Sequence, residues 1–186
     1  MSSGHRAERT WQSDLVAAHP ALFQIEMDGQ AITPGTPDVG DGWQDLLERL
    51  VSFIAAAVSG AEVGWVRIVE IQKKFGTLRF YWLGADLSHQ IECAIQDAVA
   101  LAEGRSACTC EICGAEGRLY SRRGWLATAC AEHARGGPVQ VEAGFENVHI
   151  VRIFDAGHHP IAACRRYDRE IDSFVDVDPE SPGIED

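Results

Sequence analysis

The amino-acid sequence predicts an α+β fold in which a β-hairpin is covered by two main helices and carries a small zinc-binding module. Two segments have the apolar periodicity of amphipathic helices, two segments between them resemble paired strands, and a cysteine cluster follows the second helix. We expect an α+β core over residues 1–106, a zinc-binding module over 107–136 and a C-terminal extension over 137–186 that packs in part on the core.

The helices are predicted from apolar periodicity and from their ends. The segment from Thr10 to Phe23 predicts a short helix that is broken near His19. Asp41 is placed to cap a longer helix that ends at Ser59-Gly60. The apolar stripe of this helix consists of Trp43, Leu46, Leu47, Leu50, Ile54, Ala57 and Val58. The segment from Asp86 to Gly104 predicts the second long helix by the same periodicity.

The strands are predicted from β-branched and aromatic residues. Glu62 to Gln72 and Thr77 to Leu83 are rich in both, and a glycine-containing connection joins them. Period-two spacing places Trp65, Val69 and Ile71 on one face of the first strand, and Leu78, Phe80 and Trp82 on one face of the second. Because burial of such a side chain contributes about 1.5 to 3 kcal/mol, we expect this hairpin at the centre of the core. Val148 to Phe154 predicts another strand, whereas Ile161 to Val177 fits either a strand or a short helix.

A metal-binding pattern occupies the middle of the chain. Two residues separate Cys110 from Cys113, and after a sixteen-residue spacer the same spacing separates Cys130 from His133. Zinc prefers four tetrahedral sulfur or nitrogen ligands, and two such turns complete its shell. Gly114 supplies the backbone freedom that a metal-binding turn requires. The pattern predicts one structural Zn²⁺, because four protein ligands leave no position for water or substrate.

The spacer between the two ligand pairs predicts a hairpin, with Arg118 to Tyr120 and Trp125 to Thr128 as its strands. Cys130 to His133 is expected to begin a short helix. This order of elements is typical of a treble-clef or zinc-ribbon module. The alternatives are a redox dithiol at the first cysteine pair, or inert buried thiols. A redox dithiol does not require a second pair at matching spacing.

The other three cysteines receive different interpretations. Cys108 lies two residues before the first ligand and could replace Cys110 or His133 in the metal shell. Cys93 and Cys164 are interpreted as packed small residues.

No catalytic signature accompanies the zinc pattern. The sequence lacks a glycine-rich phosphate loop, a nucleophile elbow and a zinc-protease helix, and no histidine has the glutamate that a zinc deaminase needs two residues on. A second site built from His149, Asp155, His158 and His159 is a further hypothesis, but a polar turn after a strand explains these residues better. We therefore expect a protein that is not an enzyme.

The charge distribution favours a protein partner. The chain has a net charge of −12, and the segment from residue 168 to residue 186 contributes eight acids against one arginine. An acidic surface disfavours broad adhesion to nucleic acid or anionic membrane and favours a basic protein. The alternative is a solvated terminus with no partner. The acids assigned to a partner contact are Asp168, Glu170, Asp172, Asp176 and Asp178.

A basic patch in the zinc module offers an alternative partner. The arginines that can contact phosphates are Arg105, Arg118, Arg122 and Arg123, with Trp125 as a stacking surface for bases. The same arginines can instead pair with the acidic C-terminal segment.

The expected location is the cytoplasm. The N-terminal residues form no apolar signal segment, and no apolar helical segment approaches the roughly 20 residues that cross a bilayer. Clustered cysteines without export signals favour a reducing compartment.

Four motifs follow one another along the chain. They are Gly40-Asp41-Gly42-Trp43, KFGTLRFY from Lys74 to Tyr81, CEICG from Cys110 to Gly114, and GWLATACAEH from Gly124 to His133. In this order they resemble a family of small uncharacterised proteins from bacteria and their phages, over about Pro20 to His133. The resemblance implies a bacterial or prophage setting and a zinc-binding module, and it brings no settled activity.

Together these features lead to one expected function and one alternative. We expect a non-catalytic, protein-binding chain, such as an immunity protein or antitoxin that neutralises a basic toxin, or a phage-encoded inhibitor of a host enzyme. The alternative is a zinc-ribbon regulator that binds nucleic acid.

Overall fold

A computed structural model describes residues 10–60, 64–142, 144–154 and 160–177. These residues form an α+β fold, as predicted, and they contain four α-helices and small antiparallel sheets. The helices are α1 (Trp11–Ala18), α2 (Pro20–Phe23), α3 (Gln44–Ser59) and α4 (His89–Ser106). The strands are β1 (Ile25–Met27), β2 (Gln30–Ile32), β3 (Trp65–Lys74), β4 (Thr77–Ala85), β5 (Arg118–Arg122), β6 (Trp125–Ala129), β7 (Gly137–Pro138), β8 (Val148–Phe154), β9 (Pro160–Asp168) and β10 (Ser173–Asp176).

The main core forms where the four helices cover one face of the β3–β4 hairpin, which confirms the hairpin as its centre. Its fully buried side chains include Phe23, Trp43, Leu47, Ile54, Ile68, Leu78 and Ile95. The break predicted near His19 separates α1 from α2, and α3 ends before Gly60 as predicted. Within the described ranges, no helix combines the length and the apolar character needed to cross a bilayer.

The prediction that Trp65, Val69 and Ile71 form the buried face of β3 is wrong for Trp65 and Val69. Trp65 is 42% exposed, whereas Val66 and Ile68 are fully buried. The register between β3 and β4 shifts between Ile68 and Glu70, so one extra residue interrupts the period-two alternation and returns Ile71 to the core. On β4 the prediction is confirmed, because alternate apolar side chains from Leu78 onwards pack into the core.

The role predicted for Asp41 is also wrong. Helix α3 begins at Gln44 without a side-chain cap, and Asp41 instead opens a 3₁₀ turn that ends at Trp43. The Asp41 carboxylate accepts a hydrogen bond from the Trp11 indole at 2.7 Å. The indole of Trp43 donates to the carbonyl of Thr109 at 2.9 Å. This short segment therefore links the N-terminal helix to the region of the cysteine cluster.

A three-stranded antiparallel sheet follows, with β9 between β8 and β10, so the ambiguous segment after Pro160 is a hairpin. The sheet packs on α4 at Gly104, where an added Cβ would lie 3.0 Å from the Phe174 ring. Arg105 on α4 makes a two-pronged ion pair with Asp172, and the Tyr167 hydroxyl donates to the same carboxylate at 2.8 Å. These contacts fix the C-terminal strands on the core.

The Asp172 interaction predicts a dependence of stability on pH. Partial burial raises the pKa of this carboxyl group, but hydrogen bonds from Arg105 and Tyr167 outweigh that effect and hold the pKa below its usual range. A carboxyl group whose pKa is lower in the folded state stabilises the fold above its unfolded pKa of about 4, and the stabilisation is lost as pH falls through the folded value. As pH falls from about 5 to about 3, the wild type should therefore lose more thermal stability than the Asp172→Asn variant does. If the curves of thermal stability against pH ran parallel for the two proteins, the stabilising role of the Asp172 carboxylate would be wrong.

Candidate metal centre

The structure brings the four predicted ligands together in one Cys3His cluster. The ligand atoms of Cys110, Cys113, Cys130 and His133 all lie within 4.8 Å of one another. The Cys113 and Cys130 sulfurs are 3.7 Å apart, and His133 Nδ1 lies 3.6 Å from the Cys110 sulfur and 3.3 Å from the Cys130 sulfur. The cluster can hold one metal ion. Among the described residues, no other group of three or more histidine, cysteine and acidic side chains is close enough to share an ion.

Two tight turns supply the ligands. In the first, the amide of Gly114 donates to the carbonyl of Cys110 at 2.9 Å, and Gly114 has a positive φ of 75°. In the second, the amides of His133 and Ala134 both donate to the carbonyl of Cys130. The helix predicted from Cys130 is therefore wrong, because Gly136, at a φ of 89°, directs the chain into β7 within a few residues.

A small sheet connects the two turns. The predicted hairpin is confirmed as β5 and β6, and its two-residue turn has positive φ at Arg123 and Gly124. Strand β7, from the C-terminal extension, adds a third strand beside β5. Cys110, Tyr120 and Ala129 form a small buried cluster under the sheet. So small a core needs a further stabilising element, such as a metal.

The Cys110 and Cys113 thiols differ in acidity. Burial raises the pKa of the Cys110 thiol, but hydrogen bonds from three backbone amides and from the Cys113 thiol lower it to about 6. At Cys113 the amide of Ala115 lowers the pKa, yet desolvation and the neighbouring Cys110 and Cys130 thiols raise it overall. The backbone thus stabilises the Cys110 thiolate, and the negative charge of that thiolate disfavours ionisation of the Cys113 thiol. A bound cation relieves this repulsion and allows all three sulfurs to ionise.

Cys108 lies outside the Cys3His cluster. Its side chain is only 4% exposed, and burial raises the pKa of its thiol to about 11, so the thiol is neutral and a poor metal ligand. The carbonyl of Cys108 accepts hydrogen bonds from the amide of Gly117 at 2.9 Å and from the Arg169 guanidinium at 2.7 Å. Cys108 therefore supports the polypeptide next to the ligands and replaces neither Cys110 nor His133 in the cluster.

The two remaining cysteines lie in different environments. Cys93 is half-buried on α4, with its sulfur 3.3 Å from a ring nitrogen of His89. Cys164 is exposed, so the prediction that it is packed is wrong. It lies opposite Ile150, which is 79% exposed, on the outward face of the C-terminal sheet.

The Gly-Asp-Gly-Trp motif positions the first ligand turn on the core. The amide of Gly42 donates to the carbonyl of Glu111 at 2.8 Å. A Cβ at Gly42 would lie 2.1 Å from the carbonyl oxygen of Cys110, and one at Gly40 would lie 2.4 Å from that of Glu111. Only glycine permits this approach of backbone to backbone.

The turn between β3 and β4 positions the second half of the module. Gly76 forms an isolated parallel bridge with Ala127, and the Thr128 hydroxyl donates to the carbonyl of Gly76 at 2.8 Å. The Lys73 ammonium lies 2.7 Å from the Glu111 carboxylate. All four sequence motifs therefore meet where the core contacts the metal module. In the sequence these glycines stood out as motif residues, but nothing there indicated that they contact the metal module.

The acids assigned to a partner contact are largely engaged within the chain. Asp172 and Asp176 form ion pairs with arginines of α4 and β9. The carboxylate of Asp168 accepts the amide of Glu170 at 2.8 Å. The Glu170 side chain is exposed, and Asp178 lies outside the described residues.

The structure brings three of the four predicted arginines together on the β5–β6 hairpin, whereas Arg105 lies on α4 and pairs with Asp172. Period-two alternation places Arg118, Arg122 and Trp125 on one face, and Arg123 occupies the turn. Trp125 is 83% exposed, and the Arg118 guanidinium stacks on the Tyr120 ring at 5.4 Å. None of these three arginines forms an ion pair with an acid in the described part of the chain.

The hypothetical second site is described only at His149. This side chain lies on β8 and meets the Phe174 ring edge-on at 6.0 Å. Burial, and then the charge of Arg79, lower the pKa of the imidazole. Asp155, His158 and His159 lie outside the described residues.

The chain has no significant match among protein-family models, curated proteins or solved structures.

Proposed function

We propose that this chain is a non-catalytic binding protein in which one structural zinc ion holds a zinc-ribbon-type module against the core. The observation that carries the proposal is the spacing of the ligand atoms. Tetrahedral zinc with bonds of about 2.3 Å to sulfur and about 2.0 Å to nitrogen places two sulfurs about 3.8 Å apart and a sulfur and nitrogen about 3.5 Å apart. The distances of 3.7, 3.6 and 3.3 Å in the cluster agree with this geometry. Soft thiolates with one imidazole also favour zinc over magnesium or calcium.

The position of the cluster supports a structural role. Four protein ligands close the shell of a tetrahedral ion, so neither water nor substrate has a coordination position. Two ligand turns and a three-stranded sheet are the parts of a zinc ribbon. The first ligand turn contacts the core through backbone atoms at Gly42, and β6 contacts it at Gly76, so the ion stabilises the junction between core and module.

For the partner, we propose a basic protein, such as a toxin or a host enzyme that the chain neutralises. The net charge of −12 supports this proposal, because an acidic surface accelerates association with a cationic protein. The motif resemblance to bacterial and phage proteins fits an immunity, antitoxin or inhibitor role. Since Asp172 and Asp176 stabilise the C-terminal sheet, Glu170 and the acids from Asp178 onwards are the candidates for contact.

Affinity capture from the native host tests the partner. The full-length chain, with one zinc per chain by elemental analysis, should recover a basic protein whose affinity for the purified chain falls as salt rises. Glu170→Lys should weaken that complex, and Cys164→Ser, also exposed but uncharged, should not. Failure to recover any protein, or a complex insensitive to both salt and Glu170→Lys, would reject the basic-partner proposal while leaving the zinc proposal intact.

A second candidate is binding to nucleic acid through the β5–β6 hairpin. The observation that favours it is the set of exposed side chains of Arg118, Arg122 and Trp125, whose arginines are not paired with the acidic segment in the described ranges. Arginines with a neighbouring exposed ring provide phosphate contacts and a stacking surface.

A further inference from the structure

Two hairpin turns lie side by side next to the metal module and expose aromatic rings. Gly76, in the turn between β3 and β4, is bridged to Ala127 on β6. Phe75 is the residue before Gly76, and Trp125 lies two residues before Ala127. The Cα atoms of Phe75 and Trp125 are therefore no more than about 15 Å apart. Phe75 is 68% exposed and Trp125 is 83% exposed, the two highest values for aromatic rings in the described ranges. We call Lys74, Phe75, Arg122, Arg123 and Trp125 the tip surface.

The tip surface is positively charged although the protein is strongly acidic. The chain has two lysines, and both lie at this turn, at positions 73 and 74. The Lys74 ammonium lies 5.8 Å from the centre of the Phe75 ring. Arg122 is the cross-strand partner of Trp125, and Arg123 occupies the adjacent turn. No acid in the described part of the chain forms an ion pair with Lys74, Arg122 or Arg123.

Exposed rings flanked by unpaired cations match the chemistry of single-stranded nucleic acid. Bases of a single strand stack on aromatic rings, and the phosphates between them contact cationic side chains. A duplex hides the faces of its bases, so it cannot use Phe75 and Trp125 in this way. The acidic remainder of the protein repels a polyanion, which limits contact to a short stretch of strand.

We propose that the tip surface binds a short segment of single-stranded nucleic acid, with bases stacked on Trp125 and Phe75 and phosphates held by Arg122, Arg123 and Lys74. This inference rests on the second candidate function and names its ligand. It adds the neighbouring turn, where Lys74 and Phe75 lie, to the exposed Arg122, Arg123 and Trp125 of the β5–β6 hairpin.

Fluorescence anisotropy with the full-length zinc-bound chain tests the proposal. The probes are labelled oligo(dT), oligo(U) and a mixed-sequence DNA duplex, each about twelve nucleotides long. We expect both single strands to bind more tightly than the duplex, with affinity that decreases as salt increases. Trp125→Ala and Phe75→Ala should each weaken single-strand binding by about fivefold or more. An Arg122→Gln/Arg123→Gln variant should reduce the slope of log affinity against log salt by about 1.4.

Trp65→Ala provides the matched control. Trp65 is also an exposed tryptophan with a guanidinium near its ring, that of Arg67 at 5.7 Å, but it lies at the opposite end of the β3–β4 hairpin. This variant should bind the single strands as the wild type does. Zinc content, measured in the same samples, verifies that the Trp125 and arginine variants keep the metal module.

The possible failures are distinguishable. Equal binding of duplex and single strands would overturn the single-strand proposal and leave nucleic-acid binding in place. No binding of any probe by the zinc-loaded chain would overturn both. If Trp125→Ala and Trp65→Ala weaken binding equally, or if Trp125→Ala abolishes recovery of a protein partner and leaves oligonucleotide binding unchanged, the tip surface is not the nucleic-acid site.

Discussion

Cys110→Ala should abolish metal binding and lower the free energy of unfolding by about 3 kcal/mol or more. The Cys110 side chain is fully buried and belongs to the small cluster beneath the module's sheet. Its removal deletes one ligand and leaves three backbone amides without the sulfur that accepts their hydrogen bonds. For a chain of this size, that loss corresponds to a fall of about 10 °C in Tm. Elemental analysis and thermal unfolding by circular dichroism measure the two effects.

Cys108→Ala is the matched control, because Cys108 is also a buried thiol and lies two residues away. It should retain one zinc per chain and cost only about 1 kcal/mol of packing. Loss of zinc from Cys108→Ala together with its retention in Cys110→Ala would show that the ligand assignment is wrong.

Gly42→Ala should have the second large effect, although Gly42 is not a ligand. Its Cβ would lie 2.1 Å from the carbonyl oxygen of Cys110 and 2.5 Å from the amide nitrogen of Gly114. Both neighbours are backbone atoms of the first ligand turn, so the overlap is relieved only by moving that turn away from the core. We expect a loss of about 3 kcal/mol or more and faster release of zinc to a chelator. Chemical denaturation and a chelator competition assay measure these changes.

Gly137→Ala tests whether that effect comes from the close approach. Gly137 lies in β7 of the same module, and an added Cβ would meet no atom within 4 Å. The free energy of unfolding of Gly137→Ala should differ from that of the wild type by no more than about 0.5 kcal/mol, and the rate of zinc release should be unchanged. If Gly42→Ala proved as mild as this control, the proposed coupling between core and metal module would be wrong.

The parts of the fold that the sequence predicted are those encoded by local patterns. The two long helices follow from apolar periodicity, and the ligand set follows from two pairs with matching spacing at Cys110 and Cys130. The hairpin between those pairs was predicted for the same reason, because its strands and turn lie within a few residues of each other.

The parts that could not be predicted depend on contacts between distant residues. The irregularity near Val69 shifts the buried face of β3 by one residue, and no local pattern marks it. Asp41 has the spacing of a helix cap, but its carboxylate accepts a hydrogen bond from the Trp11 indole, thirty positions away. The pairing of Asp172 with Arg105 likewise joins residues that are 67 positions apart. Acids that looked free in the sequence therefore have partners in the fold.

Zinc K-edge X-ray absorption on the purified full-length protein tests the central claim most directly. A structural ion held by Cys110, Cys113, Cys130 and His133 predicts three sulfur neighbours at about 2.3 Å, one nitrogen neighbour at about 2.0 Å and no bound water. A shell that contains oxygen, or one with fewer than three sulfurs, would contradict a closed structural site.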